Sequence, residues 1–205
     1  VGTDQERLWV LQAQRGNEDA FAKLIEAYQA PIYNLAYRML GNANEAEDAT
    51  QETFLRAYTR LHTYESERKF SSWILSIASH YCIDRLRRQH GKVASLDEMQ
   101  SASWVPDEHP KPEEETLDRE QSAVIGQMLG CLPEQYRVVI VLRYWHDLGY
   151  DEIAEITQST ESAVKSRLHR AREMMAAKLQ EREMAKKEKN PNPRRMPENA
   201  LSRSF

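Results

Sequence analysis

The stretch YDEIAEITQSTESAVKSRLHRAR, Tyr150 to Arg172, decides how the chain is read. Ile153, Ala154 and Ile156 make one short apolar face, Thr157-Gln158-Ser159-Thr160 breaks it, and Val164, Leu168, Ala171 and Met175 then recur at helical spacing. Ser159 or Thr160 suits the cap of the second helix. A short helix, a tight turn and a capped basic helix are the parts of a helix-turn-helix, whose second helix fits the major groove of duplex DNA. With Val164, Leu168 and Ala171 turned inward, Ser162, Lys165, Ser166, His169 and Arg170 face outward and Arg167 lies at the flank. Hydroxyls near a helix start reach phosphates or base edges, and cations pair with guanine or the backbone. A solvated helix face has a similar composition. The clustering of Lys165, Arg167, Arg170 and Arg172 on a helix entered through a capped turn favours the nucleic-acid reading.

Working outward, Glu134 to Trp145 carries Tyr136, Val139, Ile140 and Leu142 as a helix, with Pro133 suited to its first turn and His146-Asp147-Leu148-Gly149 as the turn that follows. Before it, Val124, Ile125, Met128 and Leu129 form the apolar face of a helix that starts near Glu114. From Val93 to about Pro112 the periodicity fails, Pro106, Pro110 and Pro112 appear, and acids accumulate, which reads as a linker. Helical periodicity returns toward the N-terminus. Phe21, Leu24, Ile25, Tyr28, Ile32, Leu35 and Met39 share a face, with Pro31 able to kink it and Gly41-Asn42 ending it. Helices from about Asn44 to Leu61 and from Ser71 to Arg88 follow, the latter with Trp73, Ile77 and Tyr81 on one side. The expectation is an all-α protein of two small helical domains, residues 1–91 and 114–182, joined by a flexible acidic linker at 92–113 and followed by a basic disordered tail at 183–205.

Charge follows this division. Residues 62–91 hold five Lys or Arg against three acids, 159–182 hold six against three, and 92–120 hold three against nine. Two basic islands thus flank an acidic bridge in a chain of net charge -4, which argues against a protein that coats nucleic acid indiscriminately. Apolar runs such as Val138 to Leu142 are far shorter than the ~20 residues of a membrane span, and Val1 to Gln14 lacks the pattern of a secretory leader, so a cytoplasmic location is expected. Cys82 and Cys131 sit in apolar helical contexts without metal-ligand spacing and read as buried structural thiols. The chain has no HExxH, GxxxxGK[ST] or GxSxG motif, so no catalytic residue, metal or cofactor is expected. A helix-turn-helix alone fits a conventional duplex-binding regulator equally well.

The N-terminal half separates these alternatives. YRMLGNANEAEDATQETFLRAY, Tyr37 to Tyr58, followed by RKFSSWILSIASHYCIDRLRR, Arg68 to Arg88, closely resembles region 2 of the extracytoplasmic-function sigma factors of the sigma-70 family. LPEQYRVVIVLRYWHDLGYDEIAEITQSTESAVKSRLHRARE, Leu132 to Glu173, resembles region 4 of the same family. The resemblance implies a non-enzymatic subunit that binds core RNA polymerase and directs promoter-specific initiation, with an anti-sigma factor as a common partner. It carries Asp48, Gln51, Glu52 and Arg56 over as contacts to the clamp of the polymerase's largest subunit. It gives the loop Thr63 to Phe70 and the next helix to single-stranded minus-ten DNA: Tyr64 to stack on or cradle a base, Arg68 and Lys69 to hold phosphates, and Ser72, Ser76 and His80 to supply hydrogen bonds. The outward face at Ser162, Lys165, Ser166, Arg167, His169 and Arg170 becomes the reader of the duplex minus-thirty-five element. The acidic bridge becomes a segment that threads polymerase channels otherwise used by nucleic acid. His80 stands where several relatives carry Asn, and the basic tail runs past the family's usual end.

Overall fold

The computed structural model describes residues 4–65, 68–93 and 115–189, and every regular element among them is helical. In chain order these are α1 (Asp4–Gln14), α2 (Glu18–Leu40), α3 (Ala43–Arg60), a 3-10 turn (Leu61–Thr63), α4 (Phe70–Val93), α5 (Glu115–Gly130), α6 (Glu134–Trp145), α7 (Tyr150–Ile156) and α8 (Glu161–Lys189). The acidic bridge expected at 92–113 falls outside the described residues, apart from the last turn of α4.

Local chemistry sets the boundaries. Asn17 caps α2 by accepting from the Ala20 N–H at 3.0 Å. Gly41 ends that helix in the left-handed region at φ 75°, donating to the Tyr37 carbonyl at 2.8 Å. Asn42 starts α3 at once, its side chain accepting from the Glu45 N–H at 3.1 Å. Two residues therefore close one helix and open the next, which folds α3 back against α2 as the Gly41-Asn42 pair leads one to expect. Helix α2 passes through Pro31 without interruption.

Helix α2 is the centre of the N-terminal half. Its Leu24, Ile32, Leu35 and Met39 are fully buried, and α1, α3 and α4 pack around it. Each such side chain contributes about 1.5–3 kcal/mol by leaving water. Helix α1, which the sequence pattern did not announce, docks through Val10 and Ala13, and its Glu6 carboxylate accepts from the Tyr28 hydroxyl. In the C-terminal half, Val138 to Leu142 of α6, Ile153 and Ile156 of α7, and Val164, Leu168 and Ala171 of α8 form the apolar centre. Helix α8 continues to Lys189, so the first residues of the segment expected as a disordered tail are helical. Cys82 is buried and its thiol is pushed up to about 12 by desolvation, while Cys131 is only partly buried. Both cysteines are free.

The two halves are docked. Helix α6 lies against α2 and α4, α7 lies against α4, and the buried apolar side chains run continuously across the seam.

Candidate nucleic-acid interface

The helix-turn-helix is built as its sequence spacing requires. Gly149 opens α7 with its N–H donating to the Glu152 carboxylate at 2.9 Å. Thr157 and Ser159 share a hydroxyl contact at 2.8 Å in the turn, and Gln158 takes a positive φ of 49° to reverse the chain. Thr160 is the residue that caps α8, its hydroxyl accepting from the Ala163 N–H at 3.2 Å. The anchored stripe of Val164, Leu168 and Ala171 leaves Ser162, Lys165, Ser166, His169 and Arg170 exposed, with Arg167 half-buried at the flank. Two of these groups have acidic neighbours one turn away: Lys165 lies 3.5 Å from Glu161, and His169 lies 3.3 Å from Glu173. These are exposed pairs that cost little to exchange for phosphate.

Helix α3 presents a second polar surface. Asp48 and Gln51 are exposed, and Glu52 pairs with Arg56 at 2.7 Å. The Arg56 guanidinium also lies over the Tyr81 ring of α4 at 4.9 Å, which fixes it against the scaffold. The same face carries Leu55, 60% exposed, and Tyr58, also exposed. Leu55 shares the helical spacing of Asp48, Gln51, Glu52 and Arg56, and together with Tyr58 it adds exposed apolar surface to an otherwise polar helix face.

The loop before α4 is organised differently from the sequence-based expectation. Tyr64 is 8% exposed, and its ring packs edge-on to Phe70 and tilted against Trp73. Its hydroxyl donates to the Arg68 carbonyl, and its own carbonyl accepts from Gln14 of α1 at 3.0 Å. In this arrangement Tyr64 shapes the loop from inside, and its ring face is not open to a base. Ser72 is likewise buried. Ser76 and His80 are half-buried, with His80 Nδ1 2.8 Å from the Ser76 carbonyl oxygen. Trp73 is half-buried at the edge of the aromatic cluster. Arg68 and Lys69 project from the loop, Lys69 being 69% exposed, yet both meet carboxylates of α7: Lys69 Nζ lies 2.6 Å from Glu152, and Arg68 Nε lies 3.6 Å from Glu155. The Glu152 carboxyl is held below the usual carboxylate range, first by the hydrogen bond from Lys69 and then by that from the Gly149 N–H.

Among the described residues no group of three or more His, Cys, Asp or Glu side chains is placed to hold a metal ion. No helix among them is long and apolar enough to cross a membrane. The described residues form an all-helical fold whose C-terminal helix-turn-helix has the form suited to duplex DNA and whose N-terminal half presents a separate polar face on α3.

Comparison with known proteins gives the class its family. Residues 24–91 match the model of sigma-70 region 2, and residues 122–175 match that of sigma-70 region 4. The chain is 38% identical to the ECF RNA polymerase sigma factor SigW of Bacillus subtilis over 178 residues, covering 84% of this chain and 95% of that protein. Its fold is similar to that of CnrH, solved in complex with the cytosolic domain of CnrY, at a TM-score of 0.61 and 23% identity over 86% of this chain and 98% of the other. It is similar also to the sigma factor RpoE of Bartonella quintana, solved with the anti-sigma factor NepR, at a TM-score of 0.60 and 19% identity over 78% and 96% of the two chains. The chain belongs to the extracytoplasmic-function sigma factors of the sigma-70 family. It is a non-enzymatic initiation factor that directs RNA polymerase to promoters.

Proposed function

We propose that the labour of initiation is divided among three surfaces of this chain. The α3 face, with Asp48, Gln51, Glu52 and Arg56, docks on the clamp of core polymerase. The loop with Arg68 and Lys69, with Ser76 and His80 on the adjoining helix, holds the separated minus-ten strand. The N-terminal face of α8, through Ser162, Lys165, Ser166, Arg167, His169 and Arg170, reads the minus-thirty-five element as duplex. The observation that carries this reading is the orientation of α8: its apolar residues are spent on the core, and its hydroxyls and cations are left outward at the start of a helix following a tight turn.

The protein acts in the cytoplasm, where promoter DNA and polymerase are, and is restrained by an anti-sigma factor. Support for that partner comes from the similarly folded RpoE of Bartonella quintana, which was solved bound to one. The docking face is tested by replacing Asp48 and Gln51 with Ala, both exposed and neither part of the core. The double variant should retain its helical content and lose affinity for core polymerase in a pull-down. Undiminished binding would remove these two residues from the interface.

A further inference from the structure

Helix α1 makes two kinds of contact. Val10 and Ala13 are buried where it packs on α2, and they seat the helix. Its polar contacts run elsewhere. The Gln14 amide nitrogen lies 3.0 Å from the Leu61 carbonyl oxygen and 3.0 Å from that of Tyr64, 47 and 50 residues along the chain. A primary amide nitrogen carries two N–H groups, so both are engaged, and because both partners are acceptors only the nitrogen can face them. The place of Gln14 is itself fixed. Gly16 takes φ 87° and donates to the Ala13 carbonyl at 2.9 Å, which ends α1 just past Gln14, and Asn17 then caps α2.

The two carbonyls bracket the 3-10 turn, Leu61–Thr63, that leads into the loop before α4. From Tyr64 the restraint continues, since its hydroxyl donates to the Arg68 carbonyl and its ring packs against Phe70 and Trp73. A second contact from α1 bears on the far end of the loop. The Glu6 carboxylate, about two turns before Gln14, accepts from the Tyr28 hydroxyl at 2.5 Å, and the Tyr28 ring stands edge-on to Phe70 with centroids 5.4 Å apart.

We propose that Gln14 is a positioning residue for strand capture: by holding the Leu61 and Tyr64 carbonyls it fixes the backbone from which Tyr64 reaches Arg68, and so sets where Arg68 and Lys69 stand. This rests on the reading of the Thr63–Phe70 loop given above. The direction of the bonds separates this role from simple attachment of α1. A side chain that only fastened α1 would find its partners on α2, where Val10 and Ala13 already lie, whereas Gln14 reaches past it to the loop. A loop ordered in advance gives up less conformational freedom when it takes hold of a strand, so the same contacts yield a higher affinity.

The test uses the full chain assembled with core polymerase, as the parent, Gln14→Met and Val10→Ala. Methionine keeps the length of glutamine and offers no donor. Val10→Ala loosens α1 on α2 and leaves the bonds to the loop in place. Urea midpoints rank the stabilities, and binding is measured at a temperature where circular dichroism shows every variant folded. The Gln14 variant should bind core polymerase as the parent does. Its holoenzyme should bind a labelled single-stranded oligonucleotide, taken from the minus-ten region of a promoter that the parent opens, roughly threefold to tenfold more weakly. Permanganate reactivity of unpaired thymines at that promoter should fall with it. Val10→Ala, destabilised at least as far, should keep the parent's affinity for the oligonucleotide. Parent-like affinity in Gln14→Met would overturn the proposal. An equal loss in Val10→Ala would overturn it too, because attachment of α1 would then be the cause. A companion variant, Arg68→Gln with Lys69→Gln, assayed as holoenzyme on the same oligonucleotide, tests the loop reading separately. If that variant binds as the parent does, the strand-holding role of the loop fails whatever Gln14 does.

Discussion

At the scale of single residues, position on α8 predicts unequal roles for two exposed cations. Lys165, which lies 3.5 Å from Glu161 across one turn and 5.4 Å from the centre of the Tyr150 ring, is exposed and suited to a phosphate contact. Lys165→Ala should weaken binding to all promoters about equally and lower the slope of log affinity against log salt by about one unit. Arg170 has the reach and the forked donors for a guanine edge, and Arg170→Ala should relax preference at one base pair by about 1–3 kcal/mol, read from transcription of a promoter library. Tyr64 behaves otherwise. Because its ring is buried between Phe70 and Trp73, Tyr64→Ala removes core volume and should cost about 3 kcal/mol of stability in urea denaturation. Tyr64→Phe, which keeps the packing and loses only the bond to the Arg68 carbonyl, should cost about 1 kcal/mol. A variant at position 64 that kept full stability and lost only promoter opening would return the ring to the strand-binding surface.

At the scale of elements, the turn of the helix-turn-helix carries a correctable strain. Gln158 sits at φ 49°, where a side chain crowds the backbone. Gln158→Gly should stabilise the protein by up to about 1 kcal/mol, seen as a raised midpoint in denaturant with an unchanged slope. No gain would mean that the Gln158 side chain offsets the strain through its surroundings. This turn also shows what sequence makes legible. Periodicity located α6 and the buried stripe of α8, and the Gly41-Asn42 pair located the end of α2, because each of those signals is local. Helix α1 escaped notice because exposed Leu8 and Leu11 blur its buried face at Val10 and Ala13, and part of its hold on the rest of the chain runs through Gln14 and Glu6, polar residues with distant partners. The inward turn of Tyr64 was hidden for a related reason: an aromatic residue in a loop has no period to say which way it faces. The pairing of Lys69 with Glu152 was beyond reach, since it depends on how two separately legible halves meet.

At the scale of the whole molecule, the seam makes stability depend on pH through His146, a residue outside both sets of proposed DNA contacts. His146 has its pKa lowered from 6.5 to about 4, first by burial and then by the neighbouring Arg38 cation. The folded value lies below the unfolded one, so the contribution of neutral His146 is complete above about pH 6.5 and is lost as pH falls from there toward about 4. Its upper bound is about 3 kcal/mol. In urea titrations across this window the parent should lose stability relative to His146→Asn, which cannot take up the proton. Parallel pH profiles for the two proteins would show that the imidazole gains access to water before it protonates.

The length of α8 has a practical consequence. At about 1.5 Å per residue its 29 residues span roughly 43 Å, and Lys189 stands about 28 Å along the axis from Arg170. The helix is thus a built-in boom. A small fluorescent reporter placed at the end of α8 itself, near Lys189, therefore stands well clear of the end proposed to enter the groove, and should leave promoter choice untouched.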